Sequence, residues 1–273
     1  LTRDKFQKNN GRHAFKFILD QKLSVSESDT GFLYRTSALI EGEKIWPLGI
    51  VTGATARANL ANNLSRLNDY RFRALTPIRS DEDQFAARRF GIDRFYSTWL
   101  KSLSPNTHIS LNAGYLEEMY GGYGGEILYR PFGKTFAIGA EGWRVHKRDP
   151  TSTLNKQMNR DGSFTGHVNL FYEMQNQRTT AYLKLGQYLR KDRGATFGLK
   201  NRFENGTTLE GYITASDQPD VDILGNNTHV FGGVRFNLPL GNIPYIPDGS
   251  EIRITTEPFA RDSGQILDKP QPL

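Results

Sequence analysis

The chain has 273 residues, no cysteine, a formal net charge of +6 and a mean hydropathy of -0.56. The lack of cysteine excludes disulfides and thiolate metal sites, and no apolar run reaches the roughly 18 residues that a membrane helix needs. The 35 basic residues face 29 acidic ones without long basic blocks or a nucleic-acid recognition motif, so the charge reads as a mixed surface and no nucleic-acid partner is expected.

Residues 1–12 are polar and read as a loose N-terminal segment. No charged segment precedes an apolar core, so no signal peptide is visible, and the chain reads as a mature product or as part of something longer. From Ala14 to Glu27 apolar and polar residues alternate. Phe15, Phe17, Leu19, Leu23 and Val25 share one face, while Lys16, Asp20, Lys22, Ser24 and Ser26 share the other. After the turn residues Ser28 to Gly31 a second strand sets Phe32, Tyr34, Ala38 and Ile40 against Arg35, Ser37 and Glu41. A third, from Leu48 to Leu60, sets small and apolar residues against Thr55, Arg57 and Asn59.

Residues 61–83 break the pattern and carry Arg66, Arg71, Arg73 and Arg79. A segment of this length without periodicity is an exposed loop or a functional one, here a basic loop that folds into or over a pore. Alternation resumes near Phe85–Ser102, Thr107–Leu116, Tyr123–Arg130, Thr135–Val145, Ser163–Glu173, Thr180–Leu189, Ala195–Phe203, Thr207–Ala215 and His229–Leu238. Between Phe164 and Glu173 the two faces are plainest: Phe164, Gly166, Val168, Leu170 and Tyr172 against Thr165, His167, Asn169, Phe171 and Glu173. Short connections, among them Glu204-Asn205-Gly206, alternate with long ones at 146–162 and 216–228. The glycine run from Gly121 to Gly125 reads as a hairpin turn entering a bent strand, not as a phosphate loop. From Gly241 onward prolines interrupt any ladder, although 250–256 alternates briefly as one more strand or a sheet outside the membrane.

Polar inward faces, aromatic outward faces and uneven loops predict an all-β fold: an antiparallel transmembrane outer-membrane β-barrel of about twelve strands. The barrel occupies 13–240, and a Pro-rich periplasmic tail, 241–273, lies outside it. A charge facing lipid at the bilayer midplane would cost roughly 2–4 kcal/mol. The lumen or substrate-path candidates are therefore Arg35, Arg57, His167, Glu173, Lys184, Lys200, Arg202, Glu210 and Arg235, with Tyr182, Tyr188 and Tyr212 as rings for stacking on sugars. A plugged, salt-bridged interior is the competing expectation for so narrow a barrel. The five histidines show no metal-ligand spacing and there is no Gly-x-Ser-x-Gly elbow, so no catalytic residue, metal or cofactor is expected.

Five stretches resemble a known family. They are Leu116 to Pro131; Phe164 to His167 with Gly186 to Thr196; Arg202 to Gly206; Pro77 to Asp81; and Pro258 to Gly264. Together, in order and spacing, they resemble the YjbH/GfcD family from about Phe32 to the end, with 221–228 departing from its pattern. The resemblance implies an outer-membrane barrel tied to exopolysaccharide or group 4 capsule production, with outer-membrane lipid and polysaccharide as partners. Members are longer and begin as lipoproteins, so this chain corresponds to their C-terminal part. It implies an unclosed sheet edge, completed by another polypeptide or by the missing N-terminal half. The resemblance brings no catalytic residues. The function it supports is passage or guidance of polymer across the outer membrane. The alternatives are a structural anchor for an assembly complex, or an enzyme acting on lipid or polysaccharide.

Overall fold

A computed structural model describes residues 13–27, 31–67, 76–152, 154, 156–175, 178–221, 227–241 and 243–273. Among these residues thirteen strands succeed one another as a meander: β1 (His13–Glu27), β2 (Gly31–Ile45), β3 (Ile50–Asn62), β4 (Phe90–Ser104), β5 (Thr107–Tyr115), β6 (Tyr120–Tyr129) and β7 (Phe136–Arg148). The second half comprises β8 (Met158–Glu173), β9 (Thr179–Gln187), β10 (Arg193–Arg202), β11 (Thr208–Val221), β12 (Asn227–Pro239) and β13 (Glu251–Thr256). Each pairs antiparallel with the next, and β13 then pairs with β1 to close the barrel. In a meander the odd-numbered strands all run one way. An odd total therefore makes the closing pair parallel, Ile18 to Leu23 beside Glu251 to Thr256.

Closure corrects three expectations. The tail does not leave the barrel, because 251–256 is its thirteenth strand. Among the described residues the sheet has no open edge, because β13 pairs with both β12 and β1. Nor is 257–273 a periplasmic appendage: it turns back inside the strands. Smaller differences have local causes. Phe85 lies in a short helix α1 (Glu82–Ala86), not in a strand. The connections expected at 146–162 and 216–228 shorten, because β7, β8, β11 and β12 run on into them.

The glycine run is the interior of β6, not a turn. On Gly124 a Cβ would meet the Trp143 ring at 2.6 Å, so glycine there makes room for an indole on the inner face. The Asn205-Gly206 turn forms as expected, with Gly206 at φ 85° and Phe203 N–H donating to the Thr207 carbonyl at 2.9 Å.

The barrel is inverted relative to a water-soluble one. Ile40, Phe95, Tyr123, Phe164, Leu170 and Phe197 stand on the outer surface. Register puts Glu141, His167, Lys184, Thr196, Tyr212 and Arg235 on the inner face. The two faces of β8 fall as the alternation dictates, with Thr165, His167 and Asn169 buried and Phe164, Val168, Leu170 and Tyr172 exposed.

Candidate functional site

One end of the barrel carries the longest connection, residues 63–89, and also the point where β13 releases the tail. The described parts of that connection, 63–67 and 76–89, and the tail from 257 fold inward and form a plug. Two apolar clusters hold it to the wall. Phe85, Leu116, Met119, Tyr120, Trp143, Val145, Leu189 and Leu267 form one. Leu33, Leu64, Leu67, Ala86, Phe259 and Ala260 form the other. Burying a phenylalanine contributes on the order of 1.5–3 kcal/mol, so Phe85 and Phe259 are the main apolar anchors.

The polar junctions are denser. The Asp262 carboxylate accepts the backbone N–H groups of Ile78, Arg79 and Ser80 at 3.0, 2.7 and 2.8 Å, which joins the two plug segments directly. Asp220 accepts Asp262 N–H at 2.6 Å, and Asp192 accepts Gly264 N–H at 2.6 Å. The Arg79 guanidinium reaches Glu117 at 3.0 Å and the Ile266 carbonyl at 3.1 Å. Lys147 meets Asp81 at 2.8 Å, and Lys22 bridges Glu82 at 3.0 Å and Glu257 at 3.3 Å.

Arg35 donates to Glu118 and to Asn59, and Arg57 to Asp93 and Asp20. Asp93 reaches Arg57 because of a bulge in β4: Thr55 faces Arg94 and Ala56 faces Ile92, which leaves Asp93 unmatched and turned inward. Burial would raise the Glu118 carboxyl, but Arg35 and Arg57 outweigh it and hold the group at about 2. Burial likewise opposes Lys22 and Arg235 at Glu257, which also settles at about 2. Asp81 moves the other way, raised because its burial exceeds the pull of Lys147.

The candidate lumen residues divide into three groups. Arg35, His167 and Tyr188 are buried and Arg57 is half-buried, all in contacts with the plug or wall, and Tyr188 donates or accepts at Thr196 at 2.8 Å with no ring face open to a polymer. Tyr182, Lys184, Glu210, Tyr212 and Arg235 line the middle. Tyr182 donates to Glu210 at 2.6 Å, Tyr212 donates to Glu257, and the Arg235 guanidinium lies 4.6 Å from the Tyr212 ring. Glu173, Lys200 and Arg202 lie at the opposite, short-turn mouth, where Lys200 and Arg202 are exposed and Glu173 pairs with Arg130 at 3.1 Å. Of the loop arginines, Arg79 is inside the plug and Arg66 is exposed after a single 3-10 turn, while Arg71 and Arg73 lie outside the described residues.

Sequence reasoning did not single out Glu118, Asp192, Asp262 or Lys269, which carry much of the plug. The family-like stretches contain Glu118, Asp192 and Asp262, whereas Lys269 lies outside all five. Four of the five converge here: 77–81, 116–131, 186–196 and 258–264. The fifth, 202–206, is the hairpin turn at the other mouth.

The YjbH family model, described as "Exopolysaccharide biosynthesis protein YbjH", matches residues 2–273. The chain is also similar to an Escherichia coli K12 protein named "Uncharacterized lipoprotein YjbH", with 27% identity over 261 residues. That match covers 93% of this chain and 37% of the relative, so the chain spans little more than a third of that protein's length.

Proposed function

The chain belongs to the YjbH exopolysaccharide biosynthesis family, and from that membership and its inverted barrel we propose that it sits in the bacterial outer membrane and guides exopolysaccharide through or along its lumen. One observation carries the membrane reading: large apolar side chains cover the outside while ion pairs fill the inside. In water this arrangement would leave an apolar surface exposed on every side; in lipid it satisfies both faces. Strands of nine to sixteen residues, β13 excepted, are long enough for tilted crossing.

By the loop asymmetry of such barrels the short-turn mouth faces the periplasm and the plugged end faces outward. Polymer would then enter past Lys200 and Arg202 and leave only when 76–89 and 257–273 move. The completeness of the plug's ion pairing favours a second reading, a closed barrel that anchors an assembly complex.

Membrane fractionation with heat-modifiable electrophoresis tests location, and recovery of surface polysaccharide in a deletion host tests the role. Outer-membrane recovery with faster migration before heating is expected. A soluble or inner-membrane chain would overturn the reading. Full polysaccharide recovery by a variant whose plug cannot be displaced would leave the anchor.

A further inference from the structure

Register places two glutamates side by side. Glu126 on β6 lies directly opposite Glu141 on β7, both on the inner face and both buried. Like charges in that arrangement repel. The tail relieves this with Lys269. Its ammonium lies 2.7 Å from Glu126, contacts Glu141, and stands 5.6 Å from the centre of the Trp143 ring. Two acids, an ammonium and an indole face make a cation hole that the protein fills with its own side chain.

The surroundings exceed what Lys269 uses. His167 lies opposite Glu141 with Nδ1 at 3.3 Å, yet its Nε2 has no partner, and neither does Asn169 Oδ1 two residues along the same face. His167 is 4% exposed and Asn169 6%, so water does not readily serve these atoms. Glu126 Oε1 also lacks a hydrogen bond, while Glu141 Oε1 faces His167 Nδ1. Lys184, opposite Asn169, is the other cation acting on Glu141. Lys269 is the lysine ion-paired with both carboxylates, and Lys184 adds a longer-range attraction to Glu141. With Lys269 withdrawn, one negative charge is left over, beside unused hydroxyl-binding atoms.

We infer that Lys269 is a built-in surrogate for the ammonium of an amine-bearing sugar, and that Glu126, Glu141, His167, Asn169 and Trp143 form the site such a residue occupies when the tail withdraws. The inference rests on the reading of the lumen as the polymer's path and deepens it, naming a partly de-N-acetylated, cationic polysaccharide as the substrate class. The ammonium would replace Lys269 between the carboxylates, the sugar hydroxyls would meet His167 Nε2 and Asn169 Oδ1, and the pyranose face would lie on Trp143.

The test is titration calorimetry on the protein extracted from its host membrane in detergent. Oligomers of glucosamine, N-acetylglucosamine and glucuronate are compared on the wild type and on Lys269→Ala. Lys269→Ala is expected to bind the glucosamine oligomer at least about tenfold more tightly than the wild type. It should not bind the N-acetylated oligomer, and Glu141→Gln in the same background should abolish the gain. Equal glucosamine affinity in both proteins, or no preference for the amine, overturns the inference. Should Lys269→Ala not fold, refolding with glucosamine is the readout. Recovery with glucosamine but not N-acetylglucosamine supports the site, and no recovery overturns it. Binding of glucuronate or neutral oligomers without amine preference removes this inference while leaving the lumen as a path, whereas membrane fractionation tests the path separately.

Discussion

Asp262 is the joint on which the plug's integrity most directly depends. A single oxygen, Oδ1, accepts three successive backbone N–H groups, those of Ile78, Arg79 and Ser80. Taken singly, a hydrogen bond to a charged group contributes about 1.5–3 kcal/mol. The three share one acceptor and one loop, so they do not add, and Asp262→Ala should cost the docking of the plug roughly 3–5 kcal/mol. Asp262→Asn keeps an oxygen in place but loses the charge, which about halves such bonds, so about 1–2 kcal/mol is expected. The strand ladders do not involve this group, so both variants should still migrate as folded barrels.

The assay is amide hydrogen exchange in detergent. At 78–80 the alanine variant should exchange about two to four orders of magnitude faster, and the asparagine variant about tenfold faster. Exchange inside β8 should not change. Protection at 78–80 that survives Asp262→Ala would refute the claim that this carboxylate joins the two plug segments. Planar-bilayer conductance provides an independent reading, with current steps appearing in Asp262→Ala and absent from the wild type.

Three further outcomes rest on the same structure. Glu118 and Glu257 titrate at about 2 in the fold against an ordinary 4.5, so their contribution is complete above 4.5 and is lost as pH falls towards 2; a plug-unfolding midpoint that stays flat from pH 5 to 2 would contradict this. Phe259→Ala opens a cavity in the smaller apolar cluster and should cost about 3–5 kcal/mol of plug stability, read as faster proteolysis near 257–264 with barrel migration intact. Leu170→Arg places a charge on the outer face and should lower refolding yield in lipid vesicles, by about 2–4 kcal/mol if it lies at the midplane, whereas Asn201→Arg, half-buried near the mouth, should cost far less; equal yields would argue against a lipid-facing Leu170.

Strand existence and facing were legible in the sequence, because a period of two is a local property. Phe164 to Glu173 divides between outside and inside without the rest of the chain being known. Turn chemistry was equally local at Asn205-Gly206, where positive φ is required. What the sequence could not carry was every fact that depends on which strands meet. The 251–256 segment is short and flanked by prolines, and only pairing with both β1 and β12 makes it a strand, so barrel closure waited on the fold. The adjacency of Glu126 and Glu141 depends on the register of β6 against β7. The loop at 61–83 showed its arginines but not their partners, because Arg79 meets Glu117 across 38 residues, while Asp262 meets Arg79 across 183. Alternation decides which side of the sheet a residue takes. Whether that inner side is an open channel or a folded, ion-paired plug is set by long-range contacts, and in this protein they fill one end with the chain's own tail.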